Sequence, residues 1–343
     1  MKNLYFVVPA TGLNAGGSTA HINLFKVAVS LFDAKLVTYK QRENEIQYLP
    51  ELLNLNSGRD DESIYVVHWG LDLPELLEKL SGKKVVYIAY STGWGFSIPA
   101  HIPIIACSRH TMSYWGRYAP RSPIFYLPCV IPNEFRNLHE NRDIDVLVQQ
   151  RKSSSYLLES LVPALQQRCR LHLIDTWVDD FPKLLNRSKI YLYDSVEHWS
   201  KMGASEGFGL PPLEAIACGC EVFSSVNDAL GDYLDPEFNC HKISTYSLEY
   251  DVANILNCVS SYSDKIDEAI DTFLDLYRAN ERYKSRFQKI MVSVNEFFVH
   301  SKHKKPSIQP VVDHIPLSYS EKSTLFMLKA LTKRVLLRLR GQS

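Results

Sequence analysis

Short apolar runs alternate with longer segments of three-to-four-residue periodicity along most of this chain, a pattern that predicts parallel α/β sheet. Leu4–Pro9, Lys35–Tyr39, Ile64–His68, Val85–Tyr90, Pro103–Ala106 and Ile124–Tyr126 read as buried strands, and Thr19–Leu31, Leu73–Leu80 and Thr111–Tyr118 as helices. The polar stretch Asn137–Arg142 (NLHENR) then interrupts the alternation and reads as a linker. A second α/β run follows, with strands at Asp145–Gln149, Leu171–Ile174, Lys189–Tyr193 and Glu221–Ser224. Its helices are expected at Tyr156–Gln167, Asp180–Arg187 and Pro212–Cys218, and the chain then turns helical over Ser247–Ser260, Ile266–Ala279 and Arg282–Val299. Two parallel-sheet units are therefore expected, at 1–138 and 142–300, with ligands at the carboxyl ends of their strands. A further segment, 301–343, follows them.

Composition narrows this reading mainly by exclusion. The 343 residues are too many for one comfortable core and suit two domains. Lys and Arg number 38 against 38 Asp and Glu, so no global field favours nucleic acid. The seven cysteines include no CxxC pair, and Cys218-Gly-Cys220 has the wrong spacing for zinc or a redox motif. They are expected to be reduced, mostly buried thiols of a cytoplasmic protein. Met1–Ala10 lacks a small-residue cleavage site and reads as a first strand rather than a signal peptide.

The informative stretch is Ser205-Glu206-Gly207-Phe208-Gly209-Leu210-Pro211-Pro212-Leu213-Glu214-Ala215-Ile216-Ala217-Cys218-Gly219. Two prolines suit a helix start and Gly219 its C′ position. That reading puts Glu214 in the first turn, where free N–H groups and the dipole favour an ionised carboxylate able to accept the two vicinal hydroxyls of a ribose. Gly207 and Gly209 allow the backbone to approach a ligand and turn amides toward its oxygens. Glu206, eight positions earlier in the loop, reaches a different part of the same ligand.

This run resembles the E-x7-E signature of retaining GT-B glycosyltransferases, the family-four group, and the resemblance covers roughly residues 1–300, most closely 189–225. It implies two Rossmann-like domains facing across a cleft. It also implies transfer of a sugar from a nucleotide-sugar donor, with retention, to a glycan or lipid-linked acceptor in cell-surface polysaccharide or glycolipid synthesis. Glu206 would hold the transferred sugar, while Gly207, Phe208, Gly209, Leu210 and Glu214 would bind the donor. Gly16-Gly17-Ser18 resembles the family's N-terminal glycine loop near the donor phosphates. Ser108, opening a helix, and the Pro132-Asn133 turn resemble the end of its N-terminal domain.

Family members usually carry an arginine and a lysine about five residues apart after the first strand of the second domain. Here Arg151 and Lys152 are adjacent, though two cations at a strand end remain good diphosphate ligands. The family's His-Asp pair has no counterpart: Tyr90-Ser91-Thr92-Gly93 stands where it is sought. Ser91, His68 and His21 are the candidates for the acceptor or sugar side. Asp179-Asp180 reads as a helix start, and no metal or cofactor is called for beyond the nucleotide sugar itself.

In the tail, Leu325, Leu328, Leu331, Val335 and Leu339 recur at helical spacing among Lys329, Lys333, Arg334, Arg338 and Arg340. Residues 321–340 suit either an anionic membrane surface on the cytoplasmic side or packing onto the N-terminal domain. Two alternatives stand beside the transferase: a nucleotide-sugar epimerase of the same fold, and a non-catalytic sugar-binding or assembly subunit.

Overall fold

A computed structural model describes residues 3–12, 16–55, 62–68, 72–264 and 268–301. In it the apolar runs form β1 (Leu4–Val8), β2 (Ala34–Thr38), β3 (Gln47–Tyr48), β4 (Ile64–Val67), β5 (Lys84–Ala89), β6 (Ile104–Ala106) and β7 (Ile124–Tyr126). These pair in parallel in the order β3-β2-β1-β4-β5-β6-β7. The second sheet comprises β8 (Ile144–Gln149), β9 (Leu171–Ile174), β10 (Ser188–Tyr193), β11 (Glu221–Ser224) and β12 (His241–Lys242), in the order β12-β11-β10-β8-β9. Every named pair is parallel, which explains the uninterrupted apolar strands: helices cover both faces, so β1 and β4 are buried at every residue. In each sheet the order reverses beside the first strand, and the crevice at such a switch point is where α/β folds take ligands.

Several short elements escaped the sequence reading, among them the edge strand His241–Lys242. Gln47–Tyr48 and the helix Leu49–Leu55 are too short for a periodic signal, and Val196–Met202 is a two-turn helix with a single buried residue, Trp199. The helix expected from Thr19 already begins at Gly16. Tyr156–Gln167 contains a π turn at Leu157–Leu161, just before the α-helix Val162–Gln166. Pro163 lacks an N–H and crowds the carbonyl four residues back, which a wider turn relieves.

The stretch read as a linker is exposed over 138–141, but its last residue is not solvated. Arg142 is 7% exposed, and its guanidinium donates to the carbonyls of Leu185 (3.1 Å) and Cys218 (2.7 Å) and to Asp264 (3.2 Å). Its ring neighbour is Tyr262, 5.3 Å away. Arg142 thus seals the base of the second sheet against the end of the helix Leu210–Ala217.

The helix Glu281–Ser301, which the sequence reading placed with the second unit, shares the core of the first sheet. Tyr283, Phe287, Ile290, Met291, Val294 and Phe298 recur at three- and four-residue steps and pack with Leu4, Phe6 and Leu24. Six such side chains, at about 1.5–3 kcal/mol each, contribute on the order of 10 kcal/mol of burial. The chain therefore crosses back to its starting domain. Residues 321–340 lie outside the described residues. Among the described residues no helix is long and apolar enough to cross a membrane.

Candidate functional site

The helix Leu210–Ala217 explains how the glutamate run is displayed. Gly209 precedes it with φ +79°, a left-handed conformation, and a Cβ there would meet Leu230 Cδ2 at 2.3 Å. The Tyr233 hydroxyl donates to the Gly209 carbonyl and locks the turn. At the other end Gly219, φ +83°, sits at C′. Its N–H reaches Ile216 O (2.9 Å), and that of Cys220 reaches Ala215 O (2.9 Å), a Schellman closure.

Because the helix starts at Leu210, Glu214 lies in its second turn, not the first as the sequence suggested. Its carboxylate therefore does not sit on the free amides of the helix start. Glu214 is 7% exposed, and no hydrogen bond reaches its carboxylate among the described residues. Burial, reinforced by Glu134, pushes its pKa from 4.5 to about 8.

Glu206 is the opposite case. Its Oε2 accepts from Tyr193 Oη (2.6 Å) and Trp199 Nε1 (2.8 Å), and its Oε1 faces Lys152 Nζ at 3.5 Å. The backbone is fixed as well: Glu206 N donates to Asp228 Oδ2 (3.1 Å), and Ala229 N donates to Glu206 O (3.2 Å). One carboxylate oxygen is thus saturated from beneath, while the other meets only a distant ammonium. Tyr193 and Trp199 were missed by sequence reasoning; the signal available was Tyr193 closing β10, three residues before a short helix begins.

Lys152 takes a left-handed conformation (φ +69°) and lays its ammonium over the Trp199 ring, 4.5 Å from the centroid. The loop that carries it is anchored. Ser154 Oγ donates to Asp194 (2.6 Å), and Ser155 N and Oγ donate to Glu197 (2.6 and 2.9 Å). Arg151 beside it is exposed. The adjacency of the two cations therefore splits them: Lys152 turns inward to Glu206, and Arg151 stays on the rim. His198, also passed over in the sequence, lies near both, and burial and then Lys152 lower its pKa.

The two units touch along the same loop. Thr92 and Ser205 form an antiparallel bridge with their hydroxyls in contact, and His110 Nε2 lies 2.9 Å from Ser205 Oγ. A Cβ on Gly207 would stand 1.7 Å from the Tyr90 carbonyl oxygen, so this glycine is required by the other domain's backbone. Cys107 Sγ donates to Gly207 O (3.1 Å). Phe208 and Leu210 are buried, with Phe208 5.4 Å from the Tyr233 ring. Between the units a cavity of about 640 Å³ opens beside Tyr233, lined by Arg109, Tyr126, Asp232 and Arg286 among others, and does not include Glu206 or Glu214.

On the N-terminal side, Gly16 and Gly17 begin the first helix; a Cβ on Gly17 would lie 3.8 Å from Tyr90 Cβ, and one on Gly16 would meet open space. His21 and His68 are 0% and 1% exposed, with ring centroids 4.0 Å apart and Tyr90 within 6.0 Å of both. Burial, then His68, holds His21 well below 6.5, and burial lowers His68 to about 3. Both imidazoles are neutral at physiological pH. Ser91 accepts from Trp94 Nε1 (2.6 Å). Asp180 caps its helix through Lys183 N (3.0 Å). Of the sequence candidates, the fold brings Glu206, Lys152 and the glycine run into one place, with Tyr90 and Thr92 from the facing domain.

No protein-family model matches the chain, and no curated protein matches its sequence. Solved structures do. A glycosyltransferase from Rickettsia africae ESF-5 is similar at 12% identity, over 87% of this chain and 98% of that one, with a TM-score of 0.62. The pneumococcal O-GlcNAc transferase GtfA, in complex with UDP and GlcNAc, is similar at 8% identity, over 87% and 99%, with a TM-score of 0.58. HepE from Anabaena, in complex with UDP and glucose, is similar at 13% identity, over 88% and 99%, with a TM-score of 0.53. The fold is that of the GT-B glycosyltransferases.

Proposed function

We propose that this chain is a glycosyltransferase that moves a sugar from a nucleotide-sugar donor to a glycan or lipid-linked acceptor with retention of configuration. The observation that carries the reading is the pairing of two unlike carboxylates. Glu206 is clamped by three donors, and Glu214, eight residues on, is buried with no partner. A carboxyl group shielded to 7% exposure that makes no hydrogen bond among the described residues leaves its oxygens available to a ligand's hydroxyls. A ribose diol supplies two such donors. UDP bound to HepE and to GtfA supports a nucleoside diphosphate here.

In this reading Glu214 holds the ribose and the open oxygen of Glu206 accepts hydroxyls of the transferred sugar. The amides at Gly207 and Gly209 face the phosphates, together with the N-terminal glycines Gly16 and Gly17. Lys152 and Arg151 offset the charge that grows on the departing diphosphate. The acceptor attacks the sugar on the face the phosphate leaves, and that phosphate takes the acceptor proton. The protein contributes position and electrostatics rather than a strong base. The buried histidine pair of the facing domain, His21 and His68, is neutral and supplies no such base. Ser91 then belongs to the wall on the acceptor or sugar side, with His21 and His68 buried behind it, and neither a metal nor a cofactor is required. A lipid-linked acceptor would bring the enzyme to the inner face of a membrane, with 321–340 as the basic contact.

A thermal-shift panel of UDP, GDP, ADP, TDP and CMP against wild type and Glu214→Ala tests this. A nucleotide at a hundred times its dissociation constant adds about 2.7 kcal/mol of stability. One nucleotide is expected to raise the wild-type Tm and to do so less in the variant. No response to any nucleotide would refute donor binding and leave a non-catalytic scaffold.

A further inference from the structure

On the opposite side of the second sheet from the glutamate run, three elements bring together side chains that sugar transfer does not use. Glu221 opens β11, His241 lies in the edge strand β12, and Cys258 belongs to the helix Leu248–Ser261. The strands pair in parallel with Phe223 beside His241, so Glu221, Phe223 and His241 point to one face. That is the face on which Phe223 packs with Val252, Ile255 and Cys258 of the helix. The His241 ring stacks on Phe223 with centroids 4.4 Å apart and planes 26° apart, which limits its rotation. Its Nε2 stands 3.4 Å from Glu221 Oε2 and 3.8 Å from Cys258 Sγ. One ligand atom from each of the three residues falls within 4.8 Å of the others.

We propose that Glu221, His241 and Cys258 bind a zinc ion. Zinc bonds of about 2.0 Å to nitrogen and oxygen and about 2.3 Å to sulfur set tetrahedral spacings near 3.3 Å (N to O) and 3.6 Å (N to S). The observed 3.4 and 3.8 Å meet these within a few tenths of an ångström. One thiolate, one imidazole and one carboxylate form a donor set that favours zinc over magnesium or calcium. The Glu221 and His241 side chains are 46% and 34% exposed, which leaves a path for the ion and room for a water as fourth ligand. Two ligands come from strands and one from a helix, a rigid frame that needs little rearrangement to bind. β11 spans about 10 Å, and its other end, Ser224, leads into the loop that reaches Glu206. The ion would thus pin the edge strand to its covering helix behind the transfer site, without entering the reaction.

The test uses the full chain, stripped with a chelator and titrated with Zn²⁺ and with Co²⁺ as a spectroscopic reporter. The chain has seven cysteines and 11 histidines, so variants rather than bulk stoichiometry decide. Wild type should gain Tm with zinc and show a thiolate-to-cobalt charge-transfer band. Cys258→Ser should lose the band, and both it and His241→Gln should bind zinc at least about tenfold more weakly. Cys169→Ser, which removes another partly buried thiol, should behave as wild type. Circular dichroism identifies any variant that fails to fold; should Cys258→Ser do so, His241→Gln and Glu221→Gln, which keep every thiol, carry the test through their weakened zinc binding. A band that persists in folded Cys258→Ser, or wild type with neither band nor zinc-dependent Tm, would overturn the site and leave a hydrogen-bonded Glu–His–Cys trio.

Discussion

Replacing Glu214 by glutamine isolates the most unusual electrostatic feature of the site. In the folded protein this carboxyl titrates at about 8 against 4.5 for the free side chain, because burial disfavours its charged form. The folded state therefore holds a proton that the unfolded chain releases between those two values, and stability falls as pH rises through that window. The gap of about 3.5 pH units, at about 1.36 kcal/mol each, sets an upper figure of about 5 kcal/mol lost between pH 4.5 and 8. Glutamine is neutral throughout and matches the protonated acid in shape. Near pH 5 wild type and Glu214→Gln should thus melt together. At pH 9 the variant should be more stable by about 3–5 kcal/mol, a Tm difference on the order of 10 °C. Scanning fluorimetry across pH 5–9, without nucleotide, reads this directly. A Tm difference that does not change with pH would refute the reasoning, since it would mean that Glu214 is ionised in the folded state through a partner or through solvent.

Two further outcomes follow from the same geometry. If the ribose hydroxyls donate to Glu214, nucleotide binding selects its ionised form: affinity should weaken up to about tenfold per pH unit below 8 and level off above it, and calorimetry in buffers of different ionisation enthalpy should show proton release. Affinity independent of pH between 6 and 8 would remove Glu214 from the contact. Gly207→Ala places a methyl 1.7 Å from a backbone carbonyl of the facing domain and should destabilise by about 3 kcal/mol or more, whereas Gly16→Ala, with open space around it, should shift stability by less than about 1 kcal/mol. Equal melting of the two variants would show that the contact at Tyr90 does not hold the domains together.

The long elements were legible because their cause is local. Continuous apolar strands such as Leu4–Val8 and Ser188–Tyr193 need only two buried faces, and the glycine-bounded helix Leu210–Ala217 needs only its own capping residues. The short helix Val196–Met202 was not, since one buried residue makes no period, yet it delivers Trp199 to Glu206. The same limit hid Arg142: a polar residue in a polar stretch reads as solvated until the carbonyls it bonds, dozens of positions away, are placed around it.

By itself, then, the sequence determined the two parallel α/β units and the segment that carries both glutamates, because strand burial, caps and glycine conformations depend on near neighbours. Only the tertiary structure decided that Glu206 is clamped while Glu214 is left bare, and that the last described helix returns to the first domain. It alone set Glu221, His241 and Cys258 within ligand distance of one another. Burial, charge state and ligand spacing are properties of surroundings assembled from distant parts of the chain, and those surroundings exist only once it has folded.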